Sequence, residues 1–126
     1  MKTSAPGRLL ADTRGTSAIE FAIVGPIFMM CIVGMVYIGM MLFCEGSLQY
    51  AVEAGARCAA VNTTLCSSGA TTITYAQSVY YGPSESPTFT STSTTCGQKV
   101  TASVTMTVNW VLGHANVPLS AAACFP

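Results

Sequence analysis

The order of apolar and polar positions divides the chain into a short polar start, a long apolar run and a mixed remainder. Residues 21–44 read FAIVGPIFMMCIVGMVYIGMMLFC and contain no charged side chain. A helix of this length extends about 36 Å, which is enough to cross a hydrocarbon layer of about 30 Å with some tilt. Core helices of globular domains rarely contain so long an apolar run. The pattern therefore predicts a transmembrane segment over about residues 20–44.

A polar stripe follows the apolar run. Four polar side chains recur there at every fourth position, at Glu45, Gln49, Glu53 and Arg57. This spacing is typical of one solvated face of a helix. We therefore predict a single long helix over residues 16–60 that continues beyond the membrane. Pro26 lies inside this helix and removes one of its hydrogen bonds, so a kink is expected there.

The last third of the chain has the periodicity of β-strands. Apolar and polar residues alternate from Lys99 to Val111, which predicts a strand with one buried face. The apolar positions are Val100, Ala102, Val104, Met106, Val108 and Trp110. Residues 113–116 predict a turn with His114 exposed in it, and Val117–Cys124 predicts the returning antiparallel strand.

Two shorter elements complete the predicted fold. Thr71–Tyr81 predicts a second helix, which ends before Gly82-Pro83, and Thr88–Thr95 predicts an edge strand with a hairpin at Cys96-Gly97. The fold class is α+β: a long N-terminal helix with a small antiparallel sheet packed on its C-terminal half. Residues 61–126 form the head of this arrangement.

The distribution of charge orients the predicted span. Three cations, Lys2, Arg8 and Arg14, precede the apolar run, whereas the fifteen residues after it hold two carboxylates and a single cation. Cytoplasmic flanks of membrane helices carry the excess of Lys and Arg. The N-terminus is therefore predicted in the cytoplasm, and the head on the other side of the membrane.

Composition excludes several classes of function. Charged residues make up only 8% of the chain and the formal net charge is zero, so no basic surface for nucleic acid is expected. The one histidine and the absence of a CxxC pair argue against a zinc site. No nucleophile–base or metal constellation is visible, so we expect neither an enzyme nor a cofactor nor a small-molecule substrate.

Four cysteines lie in the exported part, at Cys58, Cys66, Cys96 and Cys124. An even set in an oxidising compartment predicts two disulfides, for which three pairings are possible. A simple hairpin register places Cys124 opposite about Val104. A Cys96–Cys124 bond would then need a slip of roughly six residues, near 20 Å, which argues against it. Cys31 and Cys44 are expected to be reduced packing residues in the membrane helix.

A carboxylate stands at the threshold of the apolar run. Residues 14–21 read RGTSAIEF, and Glu20 would cost up to ~2.5–3.5 kcal/mol at the centre of a bilayer, so such a residue marks a functional site. A cut between Gly15 and Thr16 would create a new α-ammonium group. This cation would be able to pair with Glu20 of a neighbouring helix.

These features resemble a known group of membrane proteins. The chain resembles prepilins of the type IV filament superfamily in three features. These are a short basic leader that ends in Gly15, Glu20 five residues later, and an apolar segment that contains Pro26. More closely, the chain is similar to the TadE/TadG-like family, which are minor pilins or pseudopilins of the tight-adherence (Tad, Flp) system. The similarity lies in the stretch RGTSAIEFAIVGPIF, followed by AVEAGARCAA at residues 51–60. The resemblance implies that prepilin peptidase removes leader residues 1–15 after Gly15, with Thr16 as the new N-terminus. It also implies that Glu20 and Phe21 set the register of assembly.

The same resemblance implies partners and a location. The expected partners are membrane lipid, prepilin peptidase, other Tad pilus subunits and the inner-membrane assembly platform. The expected location is the bacterial inner membrane, with one span and a periplasmic or extracellular head. The expected function is assembly of an adhesive Tad (Flp) pilus. The alternative is an uncleaved, signal-anchored protein that scaffolds an envelope secretion complex.

Overall fold

A computed structural model describes residues 16–83, 86–110 and 113–126. The elements are α1 (Thr16–Val61), α2 (Gly69–Ser78), β1 (Thr88–Thr94), β2 (Gly97–Trp110) and β3 (Gly113–Phe125). In the described residues the strands form one antiparallel sheet of order β1-β2-β3. The predicted α+β class is confirmed. The predicted leader, including Gly15, lies outside the described residues.

The long helix is continuous over 46 residues and ends one residue beyond the predicted position. It runs through Pro26 without interruption, and the expected kink there stays a prediction. The boundary between two compact units of the chain lies within α1, between Val36 and Tyr37. Apart from the one hydrogen bond that Pro26 removes, the peptide groups between the ends of an α-helix are satisfied within the helix, and an apolar solvent requires this of a spanning segment.

The core of the second unit lies between α1 and the inner face of the sheet. Leu48, Val52 and Ala56 of α1 are 1% exposed or less, and Val100 opposite them is fully buried. The predicted alternation along β2 is confirmed at the positions described, since Val100, Ala102, Val104, Met106 and Val108 are all buried. The polar stripe of α1 points away from this core and is exposed. The second half of α1 is thus an amphipathic helix that covers a sheet.

The second helix begins earlier and ends earlier than predicted. Ser68 caps it, and its side chain accepts a hydrogen bond from the backbone N–H of Thr71, while the Thr71 hydroxyl accepts one from the Ser68 N–H. This capping box starts the helix at Gly69. Gly55 of α1 permits the close approach of α2, because a Cβ at that position would lie 3.1 Å from Cβ of Ala76.

Strand β3 begins earlier than predicted. Gly113–Asn116 was expected to form the turn, but these residues pair with β2, with Gly113 opposite Trp110 and Asn116 opposite Thr107. His114 is exposed as expected, although it lies in the strand and not in a turn. Residues 113–116 are polar or small and exposed, and an edge strand tolerates such residues on its exposed positions.

Gly97 is expected to tolerate no side chain. Its φ of +113° is unfavourable for other residues, and a Cβ there would overlap the carbonyl oxygen of Phe125. We expect Gly97→Ala to lower the free energy of unfolding by about 1–3 kcal/mol, measured by urea unfolding of the full chain in detergent micelles. The matched control is Gly46→Ala, on α1 with no atom within 4 Å of the new Cβ, which should be neutral or stabilising. Equal stability of the two variants would contradict this prediction.

Candidate membrane and assembly site

The N-terminal part of α1 presents apolar side chains all round. Every large apolar residue from Ile19 to Val36 is 40% exposed or more. In the part of the chain that the structure describes, α1 is the one helix long and apolar enough to cross a membrane. A surface of this kind is not stable in water and must be covered by lipid or by other helices.

Glu20 and Phe21 lie near the start of this apolar surface. Both are exposed, and Phe21 is among the most exposed apolar side chains, at 78%. The Phe21 ring extends along the helix over Gly25, with Cε1 3.8 Å from the place where a Cβ would be. Within the segment from residue 16 to residue 44, Glu20 is the one ionisable acid or base apart from cysteine and tyrosine. This segment therefore contains no cationic side chain that could pair with the carboxylate.

The processing residues are placed only in part. Gly15 lies outside the described residues, and Thr16 is the first residue of α1. Glu20 is one helical turn beyond Thr16 on the same helix. The proposed cut would therefore leave the new N-terminus at the beginning of α1, close to the carboxylate.

The four cysteines that follow the apolar run form two disulfides. Cys58 bonds to Cys66, with Cα atoms 5.8 Å apart, and ties the last turn of α1 to the loop before α2. Cys96 bonds to Cys124, with Cα atoms 6.3 Å apart. The argument against the second pairing was wrong, because the register places Cys124 opposite Lys99 and not opposite Val104. The difference arises because β3 begins at Gly113 and pairs with β2 from there, which brings the end of β3 level with the β1–β2 turn.

Three contacts between α1 and the head were not foreseen. The Tyr37 hydroxyl donates a hydrogen bond to the Asn109 carbonyl, at 3.2 Å. Sγ of Cys44 lies 3.2 Å from the Tyr80 hydroxyl, and the Ser47 hydroxyl accepts a hydrogen bond of 2.8 Å from the Tyr81 N–H. Cys31 and Cys44 are free thiols, as predicted. A tyrosine inside an apolar run was a visible signal for such a contact, because its hydroxyl needs a partner when it is removed from water.

The head also carries an open groove beside α1. It encloses about 860 Å³ between the polar stripe of α1 and the last residues of β3. Glu53, Arg57 and Phe125 are among the residues that line this groove. The Glu53 carboxylate accepts a hydrogen bond from the Gln49 side-chain amide. The groove was not predicted, since it depends on how the edge strand β3 lies beside the helix. No group of three or more His, Cys, Asp or Glu side chains positioned to hold a metal ion occurs in the described ranges.

A helix whose N-terminal part is apolar and exposed on all sides, followed by a disulfide-bonded α+β head, is typical of a membrane-anchored protein. The sequence model of TadE-like proteins matches residues 15–57, about a third of the chain, from the residue before α1 to its penultimate turn. This match shows that this N-terminal part of the chain is similar to TadE-like proteins. Comparisons with curated proteins and with solved structures found no match.

Proposed function

We propose that the chain is a minor pilin or pseudopilin that takes part in assembly of a Tad pilus for surface adhesion. Its role is structural and not enzymatic. Prepilin peptidase cuts after Gly15 on the cytoplasmic face of the inner membrane. The released subunit keeps its span in the bilayer, with the N-terminus in the cytoplasm and the head in the periplasm, until it is drawn into the filament.

The observation that carries this proposal is the exposed apolar surface of α1 beside one carboxylate. Lipid covers this surface while the subunit is stored, and helices of neighbouring subunits cover it after assembly. Apolar contacts between helices allow several axial positions in which side chains interdigitate, whereas an ion pair favours one geometry. Glu20 therefore fixes the register by pairing with the α-ammonium group of a neighbouring subunit at the membrane edge.

The charge of the leader supports the order of events. Lys2, Arg8 and Arg14 are each attracted to anionic lipid by about 1 kcal/mol and oppose extraction of the helix. Their removal leaves Glu20 as the first charged side chain of the mature subunit. Cleavage therefore precedes assembly and facilitates it.

We expect the protein purified from cells that contain the cognate peptidase to begin at Thr16. N-terminal sequencing and intact mass measure this directly. Gly15→Leu should block the cut and leave the leader in place, because the peptidase recognises the glycine that the resemblance identifies. The matched control is Gly7→Leu, a glycine of the same leader, which should be cleaved as the wild type.

Two outcomes would decide against the proposal. Retention of the leader on all wild-type molecules would overturn the cleavage. If the uncleaved protein also remained in the membrane fraction when filaments were sheared from the cells, the anchored scaffold of an envelope secretion complex would be the better explanation. Presence of the mature chain in sheared filaments supports the pilin role.

A further inference from the structure

The two edges of the sheet in the head differ. Strand β1 is flanked by the start of α2, where a Cβ on Gly69 would lie 3.8 Å from the Ser91 carbonyl oxygen. Strand β3 forms the opposite edge, and Ala121 is its one buried residue. The outer side of an edge strand presents a row of backbone N–H and C=O groups to which a further strand can add.

Pro118 establishes which backbone groups of β3 point outward. It has no N–H, yet the pairing of β2 with β3 continues without a break on both sides of it. A hydrogen-bonded pair with Thr105 would need that N–H, so Pro118 belongs to a non-hydrogen-bonded pair and faces away from β2. The N–H and C=O groups of successive residues point to alternate sides of a strand. Those of Ser120, Ala122 and Cys124 therefore also point outward.

These outward groups lack partners within the part of the chain that the structure describes. No described residue forms a hydrogen bond with the backbone N–H or C=O of Ser120, Ala122 or Cys124. All three residues are exposed. Pro118 interrupts the row of donors, so the edge that can accept a strand extends over about seven residues, from Leu119 to the end of β3. We call these residues the open edge.

The open edge borders the groove beside α1. Ala122–Phe125 form one side of this groove, and the polar stripe of α1 forms the other. Three apolar side chains of the groove remain exposed, since Val61, Leu65 and Phe125 are 69%, 54% and 39% exposed. Arg57 also lines the groove and makes no ion pair with a described residue. The groove therefore offers apolar surface and a cation next to unpaired backbone groups.

We propose that the open edge binds an extended segment of another polypeptide as a further strand of the sheet. The backbone of that segment pairs with the outward groups of Ser120, Ala122 and Cys124. Its side chains alternate between the groove and solvent. Those that enter the groove are apolar, with one carboxylate opposite Arg57. The inference concerns only the head and goes beyond the proposed function.

A second copy of the chain lacks the chemistry that this surface selects. Its β1 is flanked by α2, and neither of its edge strands, Thr88–Thr94 and Gly113–Phe125, contains an acidic residue. An edge strand of a second copy would therefore leave Arg57 without a carboxylate. The partner is a different polypeptide, recognised by its backbone and by an acidic side chain within an alternating apolar pattern.

The probe is a library of random peptides of about seven residues, displayed on phage and selected against the full chain in detergent micelles. We expect the selected peptides to alternate apolar and polar residues and to contain an acidic residue. Peptide binding should slow hydrogen–deuterium exchange at the N–H groups of Ala122 and Cys124 at least tenfold, as measured by NMR. Exchange at Asn116, an outward position on the other side of Pro118, should be unchanged.

Ala122→Pro tests the backbone contact directly. The N–H that it removes points outward, as at Pro118, so the ladder between β2 and β3 is retained. The Kd of a selected peptide should rise at least tenfold, because a carbonyl of the peptide loses its donor. The matched control is Asn116→Pro, which removes an outward N–H beyond Pro118 and should leave this Kd unchanged. Urea unfolding checks that both variants fold.

Arg57→Glu keeps the proposal testable if a proline disturbs the head. Selection against this variant should enrich basic residues in place of acidic ones. The proposal is overturned if no peptide is enriched, if binding leaves exchange at Ala122 and Cys124 unchanged, or if R57E and wild type select the same peptides. Equal affinity of a folded A122P variant also overturns it. So does a concentration-dependent dimer of the wild type that A122P abolishes, because a second copy then occupies the open edge.

Discussion

Replacement of Glu20 by Ala should leave membrane insertion intact and prevent incorporation of the subunit into filaments. Removal of one partner from a desolvated ion pair typically costs 2–5 kcal/mol, and every 1.4 kcal/mol is tenfold in an equilibrium constant. We therefore expect the amount of this chain in sheared filaments to fall more than tenfold. Immunoblots of the membrane and filament fractions measure both quantities. Glu20→Gln, which retains the shape but loses the charge, should behave in the same way.

The matched control for this prediction is Glu53→Ala. Glu53 is an exposed carboxylate on the same helix, and its structural partner is Gln49 of the polar stripe. This substitution should leave incorporation at the level of the wild type. Normal incorporation of the Glu20→Ala variant would contradict the register role. A variant that failed to reach the membrane would place Glu20 in insertion rather than in assembly.

Loss of the Cys96–Cys124 bond should destabilise the head more than loss of the Cys58–Cys66 bond. The two bonds close loops with sequence separations of 28 and 8 residues. The loop-entropy relation predicts losses of about 3.6 and about 2.5 kcal/mol for the two double Cys→Ser variants. Urea unfolding of the full chain in detergent micelles, followed by Trp110 fluorescence, measures the difference. Replacement of both cysteines of a pair avoids leaving a free thiol.

The position of the two bonds gives the same order for a second reason. The Cys96–Cys124 bond holds the end of β3 beside the β1–β2 turn, where Gly97 also meets the backbone of Phe125. The Cys58–Cys66 bond joins only the end of α1 to the adjacent loop. Equal losses for the two variants, or a larger loss for the Cys58–Cys66 pair, would contradict the prediction.

Local patterns predicted the elements accurately where periodicity was long. The alternation from residue 99 onward located β2 and its buried face, and the stripe from Glu45 to Arg57 located the exposed face of α1. Shorter elements were less exact. Thr71–Tyr81 was predicted as a helix, but α2 ends at Ser78, because Tyr80 and Tyr81 leave it to contact Cys44 and Ser47.

The disulfide pairing shows why register could not be obtained from the sequence. Polar and small residues at 113–116 are typical of a turn, and the turn position then determines every pairing along the hairpin. The structure instead extends β3 back to Gly113, which moves the register by five residues at Cys124. A local compositional signal cannot distinguish a turn from an exposed edge strand, since both favour polar residues.

By itself the sequence determined that the chain has a long apolar helix with a carboxylate at its start, followed by a head of α+β type. These properties follow from composition and from periodicity along the chain, which need no knowledge of distant contacts. Tertiary structure alone decided which cysteines meet, how β2 and β3 are paired, and which residues of α1 contact the sheet. Each of these depends on pairing between residues far apart in the chain, as Tyr37 and Asn109 are.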